Sequence, residues 1–329
     1  MSNYVLGVDG GGTKTHCALF DGSGKKIDLL EFGTTNHERL SGGFQELEKV
    51  LDTMLQTLLG KHHIAIEEIE ASVFGLAGID TSKQRIEAET LIQKLGLKKF
   101  IVCNDAFLGI KVGSVHGHGI CSVNGTGCTV CGVDAKAKQL QIGGQGQFTG
   151  EKGGGSYLGA QAVQAVYNAL FRNGPSTSLT KTLFERFQVK DKETFVDQVR
   201  RAVDAKEVTL SGLAPLMFDA ANAGDHVATE ILKDMGQDIA VSINGMIDAL
   251  NYPMNEKLYI TLAGSVHVRG SNPAALNALK DTVLRHKENA MRSIEFVLLD
   301  KPPVAGAVIW AFEQARHDNA MYEKVLSAL

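Results

Sequence analysis

A chain of 329 residues, of which 44% are apolar and 21% charged, has the composition of a folded globular protein and not of a disordered one. That length is sufficient for two domains. A net charge of −4 argues against a nucleic-acid or anionic-membrane surface, and no apolar run approaches the length of a bilayer span. We therefore expect neither a nucleic-acid partner nor a membrane-embedded segment.

The first hundred residues alternate short apolar runs with glycine turns. The predicted elements, in chain order, are strands at residues 4–8, 16–20 and 26–30, a helix at 44–58 ended by Gly60, a strand at 71–76, a helix at 82–95 and a strand at 100–103. The turns DGGGTKT and DGSG join the first three strands. The pattern predicts an antiparallel meander followed by alternating helices and strands.

The same order begins again near residue 119. The runs GICSV, TVCGV and LQIGG predict three more strands, with the glycine turn NGTG between the first two. The elements predicted after them are helices at 160–171, 194–205 and 225–249, a strand at 257–263, a helix at 273–288, a strand at 294–298 and a helix at 304–316. Two halves that begin alike indicate a repeat of architecture in an α/β protein, and ligands of such paired domains usually bind between them.

Glycine is the unusual residue: the chain has 36, and groups of them fall at 10–12, 125–127 and 143–155. A dinucleotide-binding fingerprint or a Walker loop needs a helix after the glycines, whereas here a second strand follows. Two interpretations remain: a plain hairpin, or a hairpin whose backbone N–H groups face a polyphosphate. Plain hairpins seldom need three consecutive glycines and Thr-Lys-Thr, so we favour the second.

The motifs DGGGTKT, NGTG and LAGSV have the spacing of the two phosphate loops and the adenosine loop of the sugar kinase/Hsp70/actin superfamily. Within it, the chain resembles the N-acetylglucosamine kinases and their relatives in the BadF/BadG/BcrA/BcrD ATPase family, from Val5 to about Glu313. The resemblance implies an α/β fold of two ribonuclease H-like (actin-like ATPase) domains with a nucleotide cleft between them. It also implies a first domain of residues 1–118 plus the C-terminal helix 304–329, and a second of 119–303.

The same resemblance implies ATP and Mg²⁺ as cofactors, with Asp9 holding the metal through water. The cofactor-binding residues that it implies are Gly11, Gly12, Thr13 and Lys14 in the first loop, Gly125, Thr126 and Gly127 in the second, and Gly212, Gly264, Ser265 and Val266 at the adenosine. Gly306 matches the small residue that begins the returning C-terminal helix.

For the acceptor, the resemblance implies that Asp105 in CNDAFLG is the catalytic base. A carboxylate at the end of a buried strand is suited to accept a proton from a hydroxyl. An alternative role for Asp105 is the N-cap of a following helix. The substrate-binding residues implied are Asn36, Gly78, Asp105, Cys128, Gly144, Gln145, Gly146 and Glu151.

The acceptor loop departs from the family pattern. The family reads roughly G-G-W-G followed by G-D-E-G-S, whereas this chain reads GGQGQFTGEKGGGS. Gln145 replaces the tryptophan, Glu151 the aspartate and Lys152 the glutamate. We expect phosphoryl transfer to be retained, while the identity of the sugar stays open.

The leading hypothesis is a cytoplasmic, homodimeric kinase that phosphorylates a small amino sugar, first of all N-acetylglucosamine at its 6-hydroxyl. One alternative is an activator ATPase of a radical dehydratase or reductase, which carries cysteines for an iron–sulfur cluster. None of the five cysteines falls in such a pattern, and their odd number suits free thiols in a reducing compartment. Another alternative is a sugar or nucleotide sensor without turnover.

Overall fold

The computed structural model describes residues 3–316 and 320–329. It contains two five-stranded sheets of the same topology. The first sheet consists of β1 (Tyr4–Gly10), β2 (Thr15–Asp21), β3 (Lys26–Phe32), β4 (Ile69–Leu76) and β5 (Phe100–Cys103), in the order β3-β2-β1-β4-β5. The second consists of β6 (Gly119–Asn124), β7 (Cys128–Val133), β8 (Gln139–Gly143), β9 (Leu258–Ala263) and β10 (Ile294–Leu298), in the order β10-β9-β6-β7-β8.

Strand directions repeat from one sheet to the other. The first three strands of each sheet form an antiparallel meander, and the last two run parallel to its first strand. Both glycine turns, which join β1 to β2 and β6 to β7, therefore occupy equivalent positions. The predicted repeat of architecture is confirmed.

Twelve helices surround the sheets in the described part of the chain. Those next to the first sheet are α1 (Gly43–Lys61), α2 (Ser82–Lys94), α11 (Val304–Arg316) and α12 (Tyr322–Ala328), while α3 (Leu108–Gly113) contacts α11 and also strand β9 of the second sheet. The others are α4 (Gly154–Phe171), α5 (Leu179–Phe187), α6 (Phe195–Asp204), α7 (Ala214–Asn222), α8 (His226–Ala249), α9 (Ser265–Arg269) and α10 (Ala274–Leu284). None of the described helices is both long and apolar enough to span a bilayer.

Three predicted helix ends were wrong. Helix α1 continues through Gly60 to Lys61, because the buried Leu58 and Leu59 hold its last turn in the core. Helix α10 ends at Leu284, four residues before the predicted end. Helix α4 begins at Gly154, six residues earlier than expected, and its glycines allow close packing.

The glycines of α4 pack directly against backbone. A Cβ at Gly159 would lie 1.8 Å from the carbonyl oxygen of Leu210. The contact places the start of α4 against the short helical turn Leu210–Leu213. Close packing thus compensates for the low intrinsic helix propensity of glycine.

Helix α11 returns from the end of the chain to pack on the first sheet. A Cβ at Gly7 would collide with Val308, and one at Gly306 would lie 2.1 Å from the carbonyl oxygen of Leu108. Val304, Val308 and their neighbours in α11 are fully buried. The residue boundaries assigned to the two domains remain a prediction.

Candidate active site

The two glycine turns converge on one cavity of about 480 Å³. Gly12 and Thr13 line it from the β1–β2 turn, and residues 125–127 line it from the β6–β7 turn. The remaining lining residues are Asn36, Glu38, Arg39, Ala77, Gly78, Asp80, Asn104, Asp105, Ala106, Val123, Cys128, Thr129, Gly144, Gly146 and Glu151. The cavity therefore contains polar groups from both sheets.

Backbone hydrogen bonds fix the two turns. The Gly11 N–H donates to the Lys14 carbonyl at 2.9 Å, and the Gly125 N–H donates to the Gly127 carbonyl at the same distance. The second turn is also supported from α4, where Gly155 N–H donates to the Gly125 carbonyl at 2.7 Å. Gly154 has φ +85°, and a Cβ there would lie 2.3 Å from the Thr126 carbonyl oxygen, so this support requires glycine.

Asp105 lies at the wall of this cavity, immediately after β5. The side chain of Asn104, not that of Asp105, caps the following helical turn by accepting a hydrogen bond from Ala106 N–H at 2.9 Å. The N-cap role considered for Asp105 therefore belongs to its neighbour. Burial raises the pKa of Asp105 to about 7, and the charges of Asp9 and Asp80 contribute to that rise.

Asp9 and Lys14, both assigned to the first loop, lie outside the residues that line the cavity. The Asp9 carboxylate is 3.8 Å from Nδ1 of His16, and its hydrogen bond raises the pKa of that imidazole. The Lys14 ammonium is 3.2 Å from Glu31 on β3. The positive charge of Lys14 is thus directed toward β3.

The acceptor loop is organised by the Glu151 carboxylate. It accepts backbone hydrogen bonds from Gly144 at 3.2 Å, Gln145 at 3.0 Å and Gly146 at 3.2 Å, and a further one from the Thr149 hydroxyl. Gly144 and Gly146 both have positive φ, which lets their N–H groups turn toward one carboxylate. Glu151 therefore holds the loop in shape as well as lining the cavity.

The other acceptor residues are divided between the cavity and its surroundings. Asn36, Gly78 and Cys128 line the cavity, whereas Gln145 is exposed and does not. Gly78 has φ +84°, and a Cβ there would lie 2.7 Å from the Asn36 side-chain oxygen. The Lys152 ammonium points away from the acceptor loop to Asp234 on α8, at 2.9 Å.

Asp80 is a cavity residue that the sequence interpretation missed. One of its oxygens, Oδ1, accepts hydrogen bonds from Asn104 Nδ2 at 2.9 Å and from Gln141 Nε2 at 2.8 Å. Asp80 follows the GLAG segment after β4, whereas Gln141 is on β8, so one carboxylate connects both sheets. Its position two residues after Gly78 was the available signal.

A second cavity, of about 440 Å³, adjoins the first, and the two share Gly125 and Thr126. The predicted adenosine residues Gly212, Ser265 and Val266 line it. Gly264 lies beside it with φ +88°, where a Cβ would come within 2.5 Å of the Asn124 backbone. Lining residues that the sequence interpretation missed include Phe218 and Asp219 on α7 and Arg269 on α9.

Comparison with known proteins finds relatives that are similar in sequence over most of the chain. The N-acetylmuramic acid/N-acetylglucosamine kinase of Clostridium acetobutylicum is 29% identical over 265 residues, which cover 80% of this chain and 85% of the relative. The N-acetyl-D-glucosamine kinase of Dictyostelium discoideum is 25% identical over 80% of this chain and 86% of its own.

Solved structures show the same fold. The ROK hexokinase of Thermus thermophilus superposes with a TM-score of 0.60 at 16% identity, covering 95% of this chain and all of that one. This likeness confirms the predicted fold class of two ribonuclease H-like, actin-like ATPase units. The sequence model of the BadF/BadG/BcrA/BcrD ATPase family matches residues 6–311. The chain belongs to the BadF/BadG/BcrA/BcrD ATPase family.

Proposed function

We propose that this protein is an ATP-dependent kinase of amino sugars, a phosphotransferase with an alcohol acceptor. The observation that supports this most directly is the meeting of two glycine turns and Asp105 at one cavity, next to a second cavity of nucleotide size. A nucleotide in the second cavity would direct its phosphates past the shared Gly125 and Thr126. The acceptor would then lie between those phosphates and Asp105.

The reaction follows from that arrangement. The acceptor hydroxyl gives its proton to the Asp105 carboxylate while its oxygen forms a bond to the γ-phosphorus of ATP. The bond from that phosphorus to the β,γ-bridging oxygen breaks, and ADP leaves with the electron pair. A pKa of about 7 lets Asp105 be ionised for this step and still accept a proton readily.

The residues also fit a magnesium ion. Magnesium is usually held by one or two carboxylates together with water and substrate phosphates. Asp9 and Asp105 are two carboxylates whose charges interact, a donor set that favours a cation. Asp9 does not itself line the cavity, so it would hold the ion through bridging water, and the ion would neutralise charge on the phosphates.

The acceptor cavity suits a sugar with several hydroxyl groups. Asn36, Asp80, Asp105 and Glu151 present oxygen atoms there. The relatives named above act on N-acetylglucosamine and N-acetylmuramic acid, and a third, from Vibrio cholerae, is a glucosamine kinase. N-acetylglucosamine, phosphorylated at its 6-hydroxyl, is the first candidate.

The cysteine positions do not favour the activator-ATPase alternative. Cys17, Cys103, Cys121 and Cys131 are buried, and Cys128 is half-buried on β7. A cluster shared between two subunits would need thiols at a surface. The homodimer and the cytoplasmic location remain predictions.

A coupled assay of ADP release tests the proposed function. The acceptors are glucose, glucosamine, N-acetylglucosamine, N-acetylmannosamine and N-acetylmuramic acid, and phosphorus and carbon NMR identify the phosphorylated oxygen. We expect sugar-dependent ADP release with at least one hexosamine. ATP binding without turnover on any of the five would favour a sensor.

A further inference from the structure

The cavity that would receive the ATP phosphates is acidic. Four carboxylates line it, from Glu38, Asp80, Asp105 and Glu151. Among the described residues that line it, Arg39 is the only lysine or arginine. A polyanion that enters this space therefore meets one cationic side chain supplied by the protein.

Arg39 is held against the first glycine turn. Its Nη1 donates a hydrogen bond to the Gly12 carbonyl at 3.1 Å, and a Cβ at Gly12 would lie 3.1 Å from the guanidinium carbon. The segment that carries it is fixed to the same turn, since the Thr34 hydroxyl donates to the Gly11 carbonyl at 3.0 Å. The backbone N–H of Arg39 donates to the Asn36 carbonyl at 3.0 Å. This hydrogen bond links Arg39 to a residue that is predicted to bind the sugar.

The charge of Arg39 is not neutralised by a neighbour. No ion pair found in residues 3–316 and 320–329 includes it, whereas Lys14, the other cation at this turn, lies 3.2 Å from Glu31. Its remaining guanidinium donors can therefore turn to a ligand. A guanidinium offers two parallel N–H donors to phosphate oxygens, a geometry that an ammonium lacks.

We propose that Arg39 binds the γ-phosphoryl group of ATP and stabilises its negative charge during transfer. The inference rests on the proposed function and adds a catalytic residue to that site. Charge on the equatorial oxygens of the transferred group is the main object of stabilisation in phosphoryl transfer. Arg39, at the junction of the first glycine turn and the acceptor segment, lies where that group would pass from ADP to the sugar.

The test compares wild type with Arg39→Ala and Arg39→Lys. Affinities for ADP and for the non-hydrolysable analogue AMPPNP are measured by calorimetry at one Mg²⁺ concentration. We expect Arg39→Ala to weaken AMPPNP by about tenfold, as loss of a charge-assisted hydrogen bond does, and to leave ADP affinity unchanged. We expect kcat to fall about 100-fold, the effect of removing one preorganised donor. Arg39→Lys should restore only part of each loss.

Two further variants remove other positive charges, one as a control and one as a competing explanation. Arg85→Ala removes a cation that pairs with Glu89 at 3.8 Å and lines a neighbouring cavity, so it should leave both affinities unchanged. Lys14→Ala tests the other cation at the turn. A loss of AMPPNP affinity in Lys14→Ala but not in Arg39→Ala would overturn the proposal.

Other outcomes separate Arg39 from its alternatives. Equal weakening of ADP and AMPPNP would show that Arg39 only supports the glycine turn. A kcat loss with N-acetylmuramic acid but not with N-acetylglucosamine would show that Arg39 binds the acceptor carboxylate. If wild type turns over no sugar, the proposed function fails, while the two nucleotide affinities still decide the role of Arg39. Since Arg39 is exposed, its substitution should leave the melting temperature unchanged.

Discussion

Gln141 donates a side-chain hydrogen bond to the Asp80 carboxylate at 2.8 Å, and thereby joins strand β8 of the second sheet to the segment that follows β4 of the first. The same Asp80 oxygen accepts from Asn104, the residue before the proposed base. Segments of both sheets at the acceptor side of the cavity are therefore hydrogen-bonded to one atom, Oδ1 of Asp80. Loss of one of these hydrogen bonds would displace Asp105 relative to the bound sugar.

We predict that Gln141→Ala raises the KM for the sugar and lowers kcat, with the KM for ATP unchanged. Misplacement of reacting groups by about 1 Å can cost up to 100-fold in rate, so we expect kcat/KM for the sugar to fall by about 10- to 100-fold. Gln139→Ala, on the same strand, is the control, because no hydrogen bond joins that side chain to Asp80. Steady-state kinetics with both substrates varied tests this prediction. An equal rise of the KM for the sugar and the KM for ATP would contradict it.

Asp105→Asn should abolish most turnover. Removal of a general base typically costs about 100- to 10,000-fold, and the amide cannot accept the hydroxyl proton. ATP affinity should change little, because the adenosine cavity lies on the other side of the shared Gly125 and Thr126. Near-normal turnover in this variant would show that Asp105 does not take the proton.

The rate should depend on pH near neutrality. Because burial and the charges of Asp9 and Asp80 raise the pKa of Asp105 to about 7, kcat/KM for the sugar should decrease as the pH falls below about 7. Asp80→Asn removes one of those charges while keeping an oxygen for Gln141 and Asn104, so it should move this decrease to lower pH. A profile that is identical in the variant would contradict the electrostatic role of Asp80.

The raised pKa of Asp105 should also make the free energy of unfolding depend on pH. A carboxyl whose pKa is higher in the folded than in the unfolded chain contributes stability below its ordinary pKa of about 4 and loses it as pH rises through about 7. Asp105→Asn cannot ionise, so in the absence of nucleotide it should be more stable than wild type above pH 7. Urea unfolding across the pH range measures the difference, which should shrink toward pH 4.

The strands and the phosphate turns could be predicted from the sequence because their signals are local. The apolar runs that form β5 and β10, and the glycine turns at 10–12 and 125–127, each occupy only a few consecutive residues of the chain. Helix α7 was missed, although Pro215 in its first turn is a common helix start. Its Phe218 and Asp219, which line the nucleotide cavity, were therefore missed as well.

The distant contacts of Arg39 and Asp80 could not be predicted in the same way. Arg39 acquires its position from a carbonyl 27 residues earlier, and Asp80 from an amide 61 residues later. No local pattern specifies which distant atom such a side chain will meet. The orientation of the Lys152 side chain likewise depends on a distant residue, because its partner Asp234 lies 82 residues later in the chain.

The acceptor loop gives the last prediction, at Glu151. Its carboxylate accepts the N–H groups of Gly144, Gln145 and Gly146, so Glu151→Ala should loosen this loop and raise the KM for the sugar by about tenfold. Glu151→Gln should be almost as harmful, because the NH₂ of its amide would face N–H donors where the second carboxylate oxygen had accepted them.

The control for this loop is Lys152→Ala. Its ammonium pairs with the partly exposed Asp234, and such surface pairs contribute little, so the KM for the sugar should stay at the wild-type value. Steady-state kinetics at saturating ATP measures all three variants. A wild-type KM in Glu151→Gln would mean that one oxygen suffices, and the loop would then owe its shape to its glycines, since Gly143, Gly144 and Gly146 all have positive φ.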